Sequence, residues 1–242
     1  METKLTIENL DLQIAGHQLL RGINLEIYSE EILVILGPSG SGKSTLLRAL
    51  AGLEKPSSGA IRINGNIVSN QHIFVPPHLR NIGLVFQDLA LWPHLTAIQQ
   101  LQLVAGEKND LIGGILDKFE LQGKEHRYPG QLSGGEQQRL AIARTLVHQP
   151  QILLLDEPLS DLDWKLKEEM LGVIQKLRRD WKVTVVFVSH DQLEAAKLAD
   201  RIAIMEKGRI EQIGQIQELL ENPATDFVRG FLEPLRRGQN GR

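Results

Sequence analysis

The stretch Ile32-Leu33-Val34-Ile35-Leu36-Gly37-Pro38-Ser39-Gly40-Ser41-Gly42-Lys43-Ser44-Thr45 decides the fold. Five consecutive apolar, largely β-branched residues read as a strand covered on both faces, the pattern of a parallel sheet flanked by helices. The following G-x-x-x-x-G-K-[ST] loop opens into a segment, Ser44 to Leu53, whose apolar spacing is helical. Glycines in such a loop let successive backbone N–H groups face phosphate oxygens. The helix N-terminus adds its dipole, Lys43 neutralises charge and Ser44 offers a hydroxyl to Mg2+. Gly37, Pro38, Ser39, Gly40, Ser41, Gly42, Lys43, Ser44 and Thr45 are therefore the candidate nucleotide-phosphate cradle.

Further short apolar runs at Leu84-Val85-Phe86, Ile152 to Leu155 and Val183 to Val188 have the same character. Helical patterns at Gln137 to Val147 and Lys165 to Arg179 alternate with them, so the class is α/β. In the first 66 residues, Leu5–Asn9, Leu12–Ile14, Asn24–Tyr28 and Ala60–Asn64 alternate like strands, with a tight turn at Gly65-Asn66. A small antiparallel sheet against the parallel core is expected. From Leu95 to Leu121 the pattern is helical, broken by Gly106 and by Gly113-Gly114, and reads as an inserted helical subdomain. The tail from Leu235 to Arg242 has almost nothing to bury and is expected to fray. The resulting division is 1–88 and 149–218 for the two parts of a nucleotide-binding core, 89–148 for the helical subdomain, and 219–242 for a C-terminal helix and flexible tail.

Composition sets bounds on function. The 242 residues carry 27 Lys+Arg against 30 Asp+Glu, a net charge of −3, and this lack of a basic surplus argues against a nucleic-acid partner. Cysteine is absent, which removes disulfides, thiol nucleophiles and thiolate metal sites. The first ten residues interleave Glu2, Lys4, Glu8 and Asn9 with apolar ones and lack the core of a secretory signal. No apolar stretch approaches the roughly 20 residues that cross a bilayer. The chain is expected in the cytoplasm, and any membrane is spanned by another polypeptide.

In an open parallel sheet, ligands bind beyond the carboxyl ends of the strands. The four apolar runs deliver the glycine loop, Gln87, Asp156-Glu157 and His190 to that edge. Beside a phosphate loop, Asp156 suits Mg2+, held through water, and Glu157 suits a base that orients and deprotonates the attacking water. Taken singly, each of these polar strand ends is an ordinary solvated loop, and His190 alone is an ordinary turn residue. Seven histidines show no helical zinc spacing.

Leu132-Ser133-Gly134-Gly135-Glu136-Gln137 resembles the signature of ATP-binding cassette (ABC) ATPases, and it falls between Gln87 and Asp156 as that family's order requires. The resemblance runs over roughly the whole chain and implies an α/β P-loop NTPase core with an N-terminal antiparallel β subdomain and an inserted α-helical subdomain. It implies ATP and Mg2+ as cofactors and a second ABC ATPase subunit, an identical copy, facing the first head to tail. Ser133, Gly134 and Gly135 of one copy would then contact the ATP held by Lys43 of the other. By the same resemblance Gln87 senses Mg2+ and the nucleophilic water, Asp163 in Ser160-Asp161-Leu162-Asp163 lies in the loop crossing the dimer interface, and His190 steadies the transition state. The metal set is Ser44, Gln87 and Asp156, and the catalytic set is Glu157, His190 and Gln87. The family's adenine-stacking aromatic falls at Ile14 in this chain, a departure that predicts modest adenine selectivity.

Pro56-Ser57-Ser58-Gly59, Val75-Pro76-Pro77, Trp92-Pro93-His94-Leu95-Thr96 and Tyr128-Pro129-Gly130-Gln131 resemble the bacterial importer branch. Many members of that branch carry a regulatory β-domain after the cassette. Only a short segment follows Gly214 here, so a shorter type or a truncated chain is expected. The resemblance implies an ATP-hydrolysing subunit that dimerises on MgATP and powers solute import through separate transmembrane permease subunits. Such a subunit lies on the cytoplasmic face of the membrane and meets a solute-binding receptor only indirectly. Phe86, Leu89, Leu91 and Trp92 are candidate permease contacts, with Trp92 equally suited to the core. The alternatives are a soluble ABC-type ATPase in DNA repair, translation or cofactor assembly, and a nucleotide-gated scaffold that does not hydrolyse.

Overall fold

The computed structural model describes the backbone of residues 2–106 and 109–240. Two sheets share the core. The first has the order β2-β1-β4-β5, with β1 Thr3–Ile14, β2 His17–Tyr28, β4 Ser58–Ile63 and β5 Asn66–Ser69 paired antiparallel throughout. The second has the order β10-β9-β3-β8-β7-β6: β3 Ile32–Leu36, β6 Ile82–Val85, β7 Ile152–Asp156, β8 Thr184–Ser189 and β9 Arg201–Glu206 run parallel, and β10 Arg209–Gly214 folds back along β9 as the antiparallel edge.

The unbroken apolar run of β3 has a direct structural reason. Val34 and Leu36 face one core, shared with the helices inserted after β6, while Leu33 and Ile35 face the other, shared with the antiparallel sheet and α1, Lys43–Ala51. A strand buried on both sides has no solvent face on which to place polar residues.

The antiparallel sheet departs from expectation at its strand limits. The segments Leu5–Asn9 and Leu12–Ile14 are one strand, not two. The register slips between Ile7 and Leu10, Asn9 takes φ 45°, and its N–H donates to Asn24 Oδ1 at 2.9 Å. This bulge shifts the inward alternation from Leu5 and Ile7 to Leu10 and Leu12, which in the sequence looks like a break. The expected turn at Gly65-Asn66 lies one residue earlier, at Asn64-Gly65 with φ 49° and 76°, and Asn66 begins β5.

Between β6 and β7 lie α2 Ala97–Ala105, α3 Ile112–Lys118 and α4 Gly134–Leu146. Gly106 ends α2 as expected, but Gly113-Gly114 lie inside α3 and do not break it. Both glycines are exposed, and the buried Ile112, Ile115 and Leu116 hold the helix onto the core. After β7 come α5 Trp164–Trp181, α6 Gln192–Leu198, α7 Ile216–Glu221, α8 Asp226–Phe231 and α9 Glu233–Asn240. The expected frayed tail is helical as far as Asn240, because Leu235 is buried to 8% exposure; residues 241 and 242 lie outside the described residues. Among the described residues no helix is long and apolar enough to cross a membrane.

Candidate functional site

The glycine loop joins β3 to α1 and is shaped by its neighbours. A Cβ on Gly37 would lie 2.3 Å from the Met205 carbonyl oxygen, so only glycine lets the loop pass β9 at this distance. Gly42, at φ 102°, is the N-cap of α1, and no side chain caps it. The first-turn N–H groups, which lack intrahelical partners, are thus left for an anion. A cavity of about 610 Å³ opens over them, lined by Ser39, Gly40, Gly42, Lys43, Ser44 and Thr45, with Gln87 and Glu157 contributed from other strands.

Lys43 is 4% exposed. Its ammonium donates to the carbonyls of Gly37 at 2.9 Å and Pro38 at 3.0 Å and lies 3.7 Å from Glu157 Oε1. Burial pushes its pKa down, and the carboxylates of Glu157 and Asp156 push it back up. Ser41 Oγ is buried in the loop with no protein partner.

At the end of β7, Asp156 Oδ1 accepts the Ser44 hydroxyl at 2.7 Å. Burial raises the Asp156 carboxyl, opposed first by that hydrogen bond. A hydroxyl and one carboxylate beside a phosphate cradle fit Mg2+, which keeps waters and takes phosphate oxygens rather than needing an all-protein cage. Among the described residues no group of three or more His, Cys, Asp or Glu side chains is placed to hold a metal ion.

Glu157 sits at φ 43°, in the left-handed region, and its N–H donates to the Val188 carbonyl at 3.1 Å. That turn brings its Oε2 to 2.9 Å from His190 Nδ1, with the imidazole 53% exposed. The segment carrying His190 is itself anchored. Ser189 Oγ donates to the buried Glu194 at 2.6 Å and accepts the Asp191 N–H at 2.9 Å, and Asp191 caps α6. Phosphate loop, Asp156, Glu157, Gln87 and His190 are thus brought together at one sheet edge.

Other predicted residues lie elsewhere. Ser133 caps α4 in a reciprocal capping box: its Oγ accepts from Glu136 N–H at 3.3 Å, and its own N–H donates to Glu136 at 2.9 Å. Gly134 is exposed, and Gly135 is buried against Leu166. Among the described residues these three are absent from the lining of the phosphate cavity; Gly134 borders a separate, smaller one with Gln87, Asp161 and Leu162. Asp163 caps α5, its Oδ1 accepting from Lys165 and Leu166 N–H at 3.0 Å each, and it too lies off the cavity. Ile14 is 40% exposed at the end of β1, opposite His17, outside the lining.

The rim holds residues that sequence reasoning missed: Gln18, Leu19, Arg21, Lys207 and Gly208. Gly208 N–H donates to Ser41 O at 2.9 Å, and Gly208 O accepts from Arg21 N–H at 2.8 Å, so the β9–β10 turn ties the phosphate loop to β2. A signal was present in Lys207-Gly208, a turn pair between two strands.

Comparison with known proteins bears on the family. The profile described as ABC transporter matches residues 20–160. The chain is 45% identical over 233 residues to a sulfate/thiosulfate import ATP-binding protein CysA of Synechocystis, covering 93% of this chain and 64% of that protein. It is 44% identical over 220 residues to a spermidine/putrescine import ATP-binding protein PotA of Acidothermus cellulolyticus, covering 88% and 56%. The chain thus spans less than two thirds of either relative's length. Its fold superposes on the dimeric structure of MJ0796, described as a bacterial ABC transporter cassette, with a TM-score of 0.75 and 32% identity over 88% of this chain and 98% of that one. With a profile matching more than half of its residues, and a fold shared with nearly the whole of a solved cassette, this chain belongs to the ABC transporter family.

Proposed function

We propose that the chain is the ATP-binding and ATP-hydrolysing subunit of an importer, and that two copies close around two MgATP to drive separate transmembrane permease subunits. One observation carries this reading: Lys43, Ser44 and Glu157 line one phosphate cavity, with Asp156 hydrogen-bonded to Ser44 and His190 to Glu157 just behind its wall, while the Ser133 helix start has no such link to it. A site split in this way is completed by the Ser133, Gly134 and Gly135 of a second copy. The dimeric state of the solved cassette MJ0796 and the import names of the relatives support the reading over a soluble ATPase.

Bound MgATP supplies the phosphoanhydride bond and a cation that neutralises its oxygens. The loop N–H groups and Lys43 bind the phosphates, and Ser44 with Asp156 holds the cation in place. Glu157 takes a proton from water at its carboxylate, and His190, 2.9 Å away, fixes the orientation of that carboxylate. Gln87, on the cavity wall, is placed to register whether cation and water are present.

A second cavity, of about 730 Å³ and lined by Leu79, Phe86, Ala90, Trp92, Val104 and Arg144 among others, is the surface proposed for a permease's cytoplasmic helices. Leu89 and Leu91 pack instead against the main core. Held by such a partner, the chain sits peripherally on the cytoplasmic face of the membrane. Glu157→Gln should keep ATP binding, lose turnover by at least about 10²-fold and accumulate as an ATP-bound dimer on size exclusion. Undiminished phosphate release would remove Glu157 from this role.

A further inference from the structure

We propose that Arg144 is a positioning residue for Gln87: from the far end of α4 it clamps the strained segment that follows Gln87, and so links that segment rigidly to the Ser133 helix start. The inference rests on the reading of Gln87 given above. Leu89 and Ala90 both occupy the left-handed region, with φ 58° and 44°, although neither is glycine. Two such residues in succession persist only where the surroundings over-determine them. Besides the Leu89 N–H, which donates to the Phe86 carbonyl at 3.0 Å, and the core contact of its side chain, the carbonyls of this segment are held by one guanidinium. Arg144 Nη2 donates to the Leu89 carbonyl at 2.9 Å, and Nη1 donates to the Ala90 carbonyl at 2.7 Å and to Gln100 Oε1 at 3.4 Å. Its plane covers the Trp92 ring at 4.5 Å from the centroid.

Gln100, fully buried, completes the clamp. Its Oε1 accepts the Trp92 N–H at 3.2 Å, and its Nε2 donates to the carbonyls of Trp92 at 3.2 Å and Leu95 at 3.3 Å. Arg144 lies eleven residues after Ser133 (144 − 133) on one continuous helix, about 16 Å along its axis at 1.5 Å per residue. A rigid displacement of the Ser133 end is therefore delivered to the carbonyls two and three residues beyond Gln87. The same guanidinium lines the cavity assigned above to the permease. Lysine cannot replace it, because an ammonium lacks the planar fork that meets two carbonyls and stacks on a ring at once.

The test uses the full chain with Arg144→Lys, and Trp92→Leu as a second variant in case the first does not fold. Without nucleotide, limited chymotrypsin digestion reads the clamp itself. Cleavage after Leu89 or Leu91 should be at least about fivefold faster in the variants than in wild type, with the rest of the digestion pattern unchanged. In steady-state phosphate release per folded molecule, kcat should fall about tenfold, while KM for ATP stays within about twofold and the Mg2+ requirement rises, since misplacing a site group costs the chemical step rather than binding. A role confined to stability would lower the melting temperature and leave this kcat-against-KM split unmoved. Equal cleavage rates overturn the clamp, and faster cleavage with unchanged kcat overturns its effect on Gln87. Failure of wild type to bind MgATP overturns the reading of the site instead, and the cleavage rates still decide whether the clamp exists.

Discussion

Replacing Gly52 by alanine should be far more damaging in the presence of Arg80 than in its absence. Gly52 ends α1 at φ 82°, its N–H returning to the carbonyls of Ala49 and Arg48. Alanine there costs about 1–2 kcal/mol for the left-handed backbone alone. Its Cβ would also lie 2.5 Å from Arg80 Nε and 2.7 Å from Cζ. This is not the loose end of a surface side chain. Arg80 is buried, its pKa pushed down to about 10 by burial, and its Nη1 donates to the carbonyls of Ala49 and Leu50 at 2.9 Å each. Withdrawing it breaks at least these two charge-assisted hydrogen bonds, and Nε also gives up its donation to the Val75 carbonyl at 2.8 Å; at about 1.5 kcal/mol for each of the two, the total with the backbone cost is about 4–5 kcal/mol. In an Arg80→Ala background only the backbone cost remains, so the coupling is about 3 kcal/mol. Urea unfolding followed by circular dichroism on the four proteins, analysed by linear extrapolation, measures it. Additivity within about 0.5 kcal/mol would refute the argument.

The capping box on α4 makes a pH-dependent prediction. The Lys124 ammonium first, and then the Ser133 N–H, hold the Glu136 carboxyl below its ordinary value of 4.5. The stability this contributes is present above pH 4.5 and lost as pH falls through the lowered folded value. Glu136→Gln should therefore lower the urea midpoint at neutral pH by no more than the equivalent of about 1 kcal/mol, given the group's exposure, and a difference that persists in acid would exclude the mechanism. Ile14→Tyr should tighten ATP about tenfold by stacking; titration showing no change would put adenine elsewhere on the rim. Gly208→Ala, whose Cβ would meet the Leu19 carbonyl oxygen at 2.4 Å, should weaken ATP binding by displacing the turn that holds Ser41; an unchanged dissociation constant would free that turn from the site.

The strands of the parallel sheet were readable where both faces are buried, because Ile32–Leu36 and Ile152–Leu155 advertise themselves as unbroken apolar runs. Strand β6 starts two residues earlier than its apolar run because Gly83 carries no hydrophobic signal; it is buried where a Cβ would strike Thr145. The bulge at Asn9 hid the continuity of β1, since a change of inward parity looks like an interruption. Motif residues of the proposed site stand out in the sequence because phosphate chemistry restricts them tightly. Arg80 and Arg144 do not, because their partners are main-chain carbonyls, which every residue type possesses and no sequence pattern marks.

The backbone at Glu157 has a consequence for stability. In the role proposed for it, the Glu157 carboxylate at φ 43° works against the preference of its own main chain, and glycine or asparagine would rest there more comfortably. On that proposal, exchanging hydrolysis for glycine at this position is downhill in folding free energy. Chains of this fold that carry glycine there and only hold nucleotide should then be sturdier than those that keep the carboxylate.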